Sequence, residues 1–281
     1  MLRAFEFDGV LSAAARPASP IHTAVSILGS LRTVMSTPNL GIGRTDGTDD
    51  AVTAFALQRD RNHPAPDDFP EQLGELLTYI DGTLPADHLF GHLPALLPGR
   101  PEVPVPWLLG SSAQSAVWAA QLGLPYAFGD FINPGGGVDI VNLYRERFVA
   151  TGRLAEPRLV VAVWALCADS DGEADRLAAS SRMATLLARR GKPAPVPPVE
   201  TALRFIDRQT RGRPEELALG KRMVTGSPAT VAAALRELAA TYGTDEVLVV
   251  AVTHEHEARR RSYDLLADAF ALSARAAPLE H

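Results

Sequence analysis

The sequence predicts an α/β protein assembled from parallel βα units. Short apolar runs alternate with stretches of helical periodicity along the chain, the pattern that parallel sheets with crossover helices leave in a sequence. One apolar run, residues 106–110 (PWLLG), passes straight into a small-residue turn and then a helix. The chain has 281 residues, 46% of them hydrophobic, enough to bury a sizeable core, and single α/β barrels of this size are common.

Taken in order, the apolar runs place strands at 4–11, 39–43, 106–110, 126–129, 158–166 and 246–252, about six in all. Helical patterns lie between them near 20–34, 48–60, 69–81, 112–123, 137–150, 172–190, 228–241 and 256–272. Ser227 and Pro228 read as N-cap and first helical residue, and Gly123 stands where a helix should stop. The run KPAPVPP at 192–198 can continue neither a helix nor a strand, so residues 190–226 are expected to form an insertion inside a single domain spanning 1–278. Leu279-Glu280-His281 reads as the remnant of an appended histidine tag.

Composition excludes several classes of function. A net charge of −6, with no basic stretch interleaved with aromatics, argues against a nucleic-acid partner. One cysteine, Cys167, leaves no internal disulfide and no cysteine-based metal cluster, and no metal site is expected. No run of about 18 apolar residues and no signal peptide is visible, so a cytoplasmic protein without a membrane partner is expected.

The turn after 106–110 carries the chemistry. Gly110 is followed by Ser111, Ser112 and Ser115 at the start of the next helix. The first turn of a helix leaves backbone N–H groups without intrahelical acceptors at the positive end of the macrodipole, and serine hydroxyls add donors there. An anion such as a phosphate fits. A serine that merely caps a core helix is the alternative, since serine is a preferred N-cap.

The wording of this segment resembles the bacterial luciferase-like flavin monooxygenases, in which a Ser-rich turn is followed by a helix reading WAAQ-x-GLP, here residues 118–125. Upstream, Leu40-Gly41-Ile42-Gly43-Arg44 and then Thr45 to Asp49 are similar to the family's LGLGR-x-x-GTD segment. Further counterparts lie at 68–72, 144–148, 168–171 and 245–250, so the resemblance covers roughly residues 20–272. It implies a (β/α)8 TIM-barrel-like fold and a flavin-phosphate site made by Gly110, Ser111, Ser112 and Ser115, with Ser111 where some members carry Glu, and with Arg44 reaching the phosphate. It also implies reduced FMN, supplied by a separate flavin reductase, which with O2 oxygenates a small organic substrate; a deazaflavin is the alternative cofactor.

The sequence departs from the family in two places. About six strands, where the family has eight, place the start of this chain about two βα units late, and the Glu-His-His segment that supplies a histidine to the family's reaction pocket has no match. His88, His92, His254 and His256 are the substitutes to test, with solvated loop positions expected for His88 and His92; no catalytic residue is assigned. Met35 to Asn39 also differs from the family's turn before this strand. An open sheet would leave strand edges unpaired, so a homodimer is expected. Three readings stay open: a working monooxygenase, a catalytically impaired flavin-binding or scaffold protein derived from one, and a flavin-independent interaction protein.

Other features read as structural. Trp107, Trp118 and Trp164 occupy apolar positions in a strand or helix. Arg59 and Arg61, like Arg259 to Arg261, belong to charged helix faces. Cys167 reads as a small buried hydrophobe, and Gly135 to Gly137 as a flexible loop rather than a dinucleotide fingerprint.

Overall fold

A computed structural model of the chain describes residues 9–12, 39–43, 69–91, 104–133, 135–210 and 223–272. The helices expected at 20–34 and 48–60, together with Arg44, Arg59, Arg61 and His92, lie outside the described residues. The chain divides into two compact units, one formed by residues 6–127, 140–158 and 278–281, the other by 1–5, 128–139 and 159–277.

In the first unit, β1 (Gly9–Ser12), β2 (Asn39–Gly43) and β3 (Val105–Gly110) pair in parallel, with Gly9 opposite Leu40 and Asn39 opposite Val105. Parallel pairing brings the C-terminal exits of the strands to one edge. β2 and β3 are buried through their middles, as strands covered on both faces must be. Helix α1 (Phe69–Ile80) buries Phe69, Leu73, Leu76, Leu77 and Ile80 along one stripe. Its C-terminal end is tied to the 148–158 segment by Arg153, which donates to the Leu77 carbonyl and pairs with Asp81.

Helix α2 (Ala113–Gln121) presents Ala116, Ala119 and Ala120, all fully buried, a stripe small enough to seat the helix closely in its unit. It ends at Leu122, followed by Gly123 at φ 59°, the left-handed conformation that suits a residue without Cβ. The chain then enters β4 (Tyr126–Gly129). Helix α3 (Gly137–Arg147) braces that entry: the Tyr144 hydroxyl donates to the Leu124 carbonyl at 2.9 Å and accepts from the Arg158 N–H at 3.1 Å. Gly137 opens this helix, so the glycine run at 135–137 is not wholly a loop.

The second unit is built on β5 (Leu159–Cys167), flanked by β6 (Met223–Gly226) along 164–167 and by β7 (Val247–Val250) along 161–164, all parallel. Helices α4 (Asp171–Arg189), α5 (Val199–Thr210), α6 (Pro228–Tyr242) and α7 (His256–Ala269) complete it. α4 and α5 share a core of Leu177, Ala178, Ala179, Val199, Ala202 and Ile206. Ser227 and Pro228 start α6 as expected, and it stops at Gly243.

Residues 190–226, expected as an insertion, hold α5 and β6. The apolar spacing of Val199, Ala202, Leu203 and Ile206 marks a helix, but the proline run just before it reads as a break. β6 is only four residues long and shows itself by pairing with β5, which raises the strands among the described residues from six to seven.

The aromatics and the cysteine take the structural places expected of them. Trp107 is fully buried, its indole N–H donates to Asn39 Oδ1 at 3.0 Å, and the Arg158 guanidinium lies 4.9 Å from its ring. Trp118 packs on Phe69, and Trp164 stacks on Phe131 at 5.2 Å. Cys167 is buried, its N–H donates to Ser262 Oγ, and burial together with the Asp169 charge pushes its thiol up to about 11. Arg260 and Arg261 pair with Glu257 and Asp169 on the face of α7 and its surroundings.

Candidate functional site

The serine turn sits where β3 delivers its chain to α2. Ser112 is the N-cap of α2 in extended conformation, and its Oγ accepts from the Ser115 N–H at 3.3 Å. In return Ser115 Oγ accepts from the Ser112 N–H at 3.2 Å, closing a reciprocal capping box. Two of the four N–H groups that a helix start leaves without partners are thereby used. Those of Ala113 and Gln114 remain, on residues exposed to solvent.

The two serines differ in depth. Ser112 is exposed, whereas Ser115 is 8% exposed and lies against the strands. Ser115 Oγ donates to the Ser112 carbonyl at 2.8 Å and lies 2.9 Å from the Tyr126 hydroxyl. Tyr126 is fully buried, and loss of solvent raises its pKa well above the ordinary phenol value, so it stays protonated. Sequence reasoning did not single out Tyr126; its position one residue after the GLP string was the available signal.

Gly110 explains why a glycine ends β3. A Cβ there would lie 2.2 Å from Ser115 Oγ and 2.4 Å from Ser115 Cβ, so the strand end and the helix start touch. The same absence of a side chain leaves the backbone of the turn bare. Gly110, Ser111, Ser112 and Ser115 are thus brought together around one helix start. Arg44 follows β2, and β2 leaves the sheet at the same edge as β3 because Ile42 stands opposite Leu108 in a parallel pair.

The described histidines are tied elsewhere. His88 Nδ1 accepts from the Phe90 N–H and Nε2 faces Glu75 at 3.2 Å. His254 Nδ1 meets the Val196 carbonyl at 2.9 Å, and His256 lies beside Arg259. Among the described residues no cluster of His, Cys, Asp or Glu could hold a metal ion, and no helix is long and apolar enough to cross a membrane.

Residues 39–245, which hold this turn, match the family model described as luciferase-like monooxygenase. The chain belongs to the luciferase-like monooxygenase family. A luciferase-like monooxygenase of Escherichia coli (strain K12) is 33% identical over 231 residues, covering 82% of this chain and 66% of that protein. The N-acetyl-S-alkylcysteine monooxygenase of Bacillus subtilis (strain 168) is 30% identical over 238 residues, covering 82% and 68%. The crystal structure of apo-MsnO8 superimposes with a TM-score of 0.78 at 34% identity, covering 95% of this chain and 78% of that one. As a member of this family the chain has the luciferase-like α/β fold expected from the resemblance, with its parallel strands and covering helices.

The donors at the turn fit a phosphate. The N–H groups of two exposed residues, a hydroxyl at the N-cap and the positive end of α2 lie at this helix start, and no carboxylate is part of the turn.

Proposed function

We propose that this luciferase-like family member is a flavin-dependent monooxygenase that binds reduced FMN by its phosphate at the serine turn. The observation that carries the reading is the capping box of Ser112 and Ser115, which ties the start of α2 while using neither the Ala113 nor the Gln114 N–H, both on exposed residues. Gly110 keeps the approach clear, Ser111 and Ser112 offer hydroxyls at its rim, Ser115 supports it from beneath, and Arg44 supplies the positive charge. A charge-assisted bond of the kind Arg44 would make contributes about 1.5–3 kcal/mol.

Bound reduced flavin supplies the two electrons with which one atom of O2 enters an organic substrate and the other leaves as water. The chain's own residues anchor the phosphate, orient the ring system and keep water from it. The substrate is a small organic molecule, a separate flavin reductase delivers the reduced cofactor, and the protein works as a homodimer. β1, which among the described residues pairs on one side only, supports the last of these.

The decisive experiment adds FMN, photoreduces it without oxygen, measures binding, and then admits O2. Tight binding of reduced FMN followed by flavin reoxidation supports the reading. A deazaflavin binding where FMN does not would change the cofactor, and no binding of FMN in either redox form would remove the assignment.

A second reading, a flavin-binding protein with an impaired reaction pocket, is favoured by the local partners of His88, His254 and His256. It predicts FMN binding with all consumed O2 released as hydrogen peroxide whatever substrate is offered.

A further inference from the structure

The proline run between α4 and α5 takes no part in the proposed flavin site. It reads Lys192-Pro193-Ala194-Pro195-Val196-Pro197-Pro198, and every residue in it is a proline or stands directly before one. Proline fixes its own φ near about −65° and pushes the residue before it out of the helical region, so the whole run is confined to extended, polyproline II backbone. In the structure 192–198 form neither helix nor strand between the end of α4 and the start of α5.

A polyproline II helix has three residues per turn, so residues three apart share an edge. Lys192, Pro195 and Pro198 form one such edge, and all three are exposed. The edge of Pro193, Val196 and Val199 is the one that sinks into the protein: exposed at Pro193, half-buried at Val196 and 2% exposed at Val199, which joins the core beside α4. The run therefore turns one defined edge to solvent.

It is also held in place. Gly191, at φ 68°, closes α4, with its N–H donating to the Ala188 carbonyl and the Lys192 N–H donating to the Leu187 carbonyl. At the other end the Pro198 carbonyl accepts from the Thr201 and Ala202 N–H groups as α5 begins. Midway, His254 Nδ1 meets the Val196 carbonyl at 2.9 Å. Among the described residues nothing donates to the carbonyls of Pro193, Ala194, Pro195 and Pro197.

We propose that 192–198 is a docking strap for a partner protein whose recognition domain carries an aromatic-lined groove with an acidic end, the groove of an SH3 domain. Lys-x-x-Pro-x-x-Pro along one edge is what such a groove reads. Its aromatic slots take Pro195 and Pro198, its polar side chains donate to the carbonyls left without donors, and its acidic end takes the Lys192 ammonium. The fixed backbone and the anchored ends mean that little conformational entropy is lost on docking. This surface is independent of the flavin reading.

The test titrates the full chain into an isotope-labelled SH3 domain selective for Lys/Arg-x-x-Pro-x-x-Pro, followed by NMR. The expected result is a shift of the resonances of the aromatic groove that a free peptide of sequence KPAPVPP reverses by competition. Lys192→Ala and Pro195→Ala should each weaken binding about tenfold, the loss expected when one anchor of a small interface is removed. Pro193→Ala, on the edge that turns inward, should change it little. All three positions are exposed, so circular dichroism and reduced FMN affinity should match wild type in each variant.

A groove that responds to the free peptide and not to the chain shows that the fold hides the edge, and overturns the proposal. A groove that responds to neither overturns it too, as does binding that survives both Lys192→Ala and Pro195→Ala or falls equally in Pro193→Ala. None of these results touches FMN binding, whose own failure would leave the strap standing.

Discussion

Gly110 and Ser115 are packed so closely that a single methyl group on the glycine would stand 2.2 Å from the serine hydroxyl oxygen. The end of β3 and the first turn of α2 are thus held at backbone contact. Gly110→Ala forces them apart, and since Gly110 is not in a left-handed conformation the cost is one of crowding rather than of dihedral strain. A loss of about 1–3 kcal/mol in urea unfolding is expected, as for overpacked cores, together with weaker FMN binding.

Ser112 caps α2 and faces solvent, so its removal should be felt twice. Ser112→Ala is expected to cost about 1 kcal/mol of stability from the lost N-cap, measured by thermal melting. It should also weaken reduced FMN while leaving riboflavin binding unchanged. A melting loss with FMN affinity intact would make Ser112 a cap and nothing more.

Arg44 carries the charge in the proposed site, and its loss should act on binding alone. Arg44→Ala is expected to weaken FMN by about 1.5–3 kcal/mol, and Arg44→Lys to recover only part of it because the ammonium lacks the bidentate fork. The readout is the difference between FMN and riboflavin affinities, with melting temperature as the control for folding.

Asp171 predicts an acid limb. Its Oδ1 accepts from the Ser227 N–H at 2.6 Å at the start of α6, and this bond, with those from Thr230 and Ser227 side chains, holds its pKa below the usual carboxylate range. A depressed carboxylate stabilises the fold above its unfolded pKa and loses that contribution as pH falls through its folded value. Wild-type stability should therefore hold at pH 5 and decline below about pH 4. Asp171→Asn should be less stable at neutral pH and lose less on acidification, as read by urea unfolding at the two pH values.

Cys167 should be silent until the protein unfolds. A thiol pushed up to about 11 and buried beneath α7 is protonated at pH 8 and out of reach of alkylating reagents. Iodoacetamide should leave the native protein unmodified and add once in denaturant, because the chain has one cysteine. Rapid alkylation of the native protein would show that α7 opens.

Much of this architecture follows from the sequence by itself, because the interactions concerned are local. Apolar runs place β2, β3, β4 and β5 to within a residue or so, Ser227 and Pro228 start α6, and Gly123 follows the end of α2. The serine turn with its helix, and the strings around it, were enough to indicate the family. A cap is made between residues three apart, so its signal survives in any short stretch of chain.

Tertiary structure decided the rest, because it depends on register between distant segments. β6 is four residues of weak pattern, and only the partner offered by 164–167 of β5 makes them a strand. Tyr126 stands eleven residues from Ser115, beyond the reach of helix periodicity, and it meets the serine because Gly123 turns the chain back and Gly110 has no side chain to keep them apart. That contact is a property of the tertiary fold, and no local pattern encodes it.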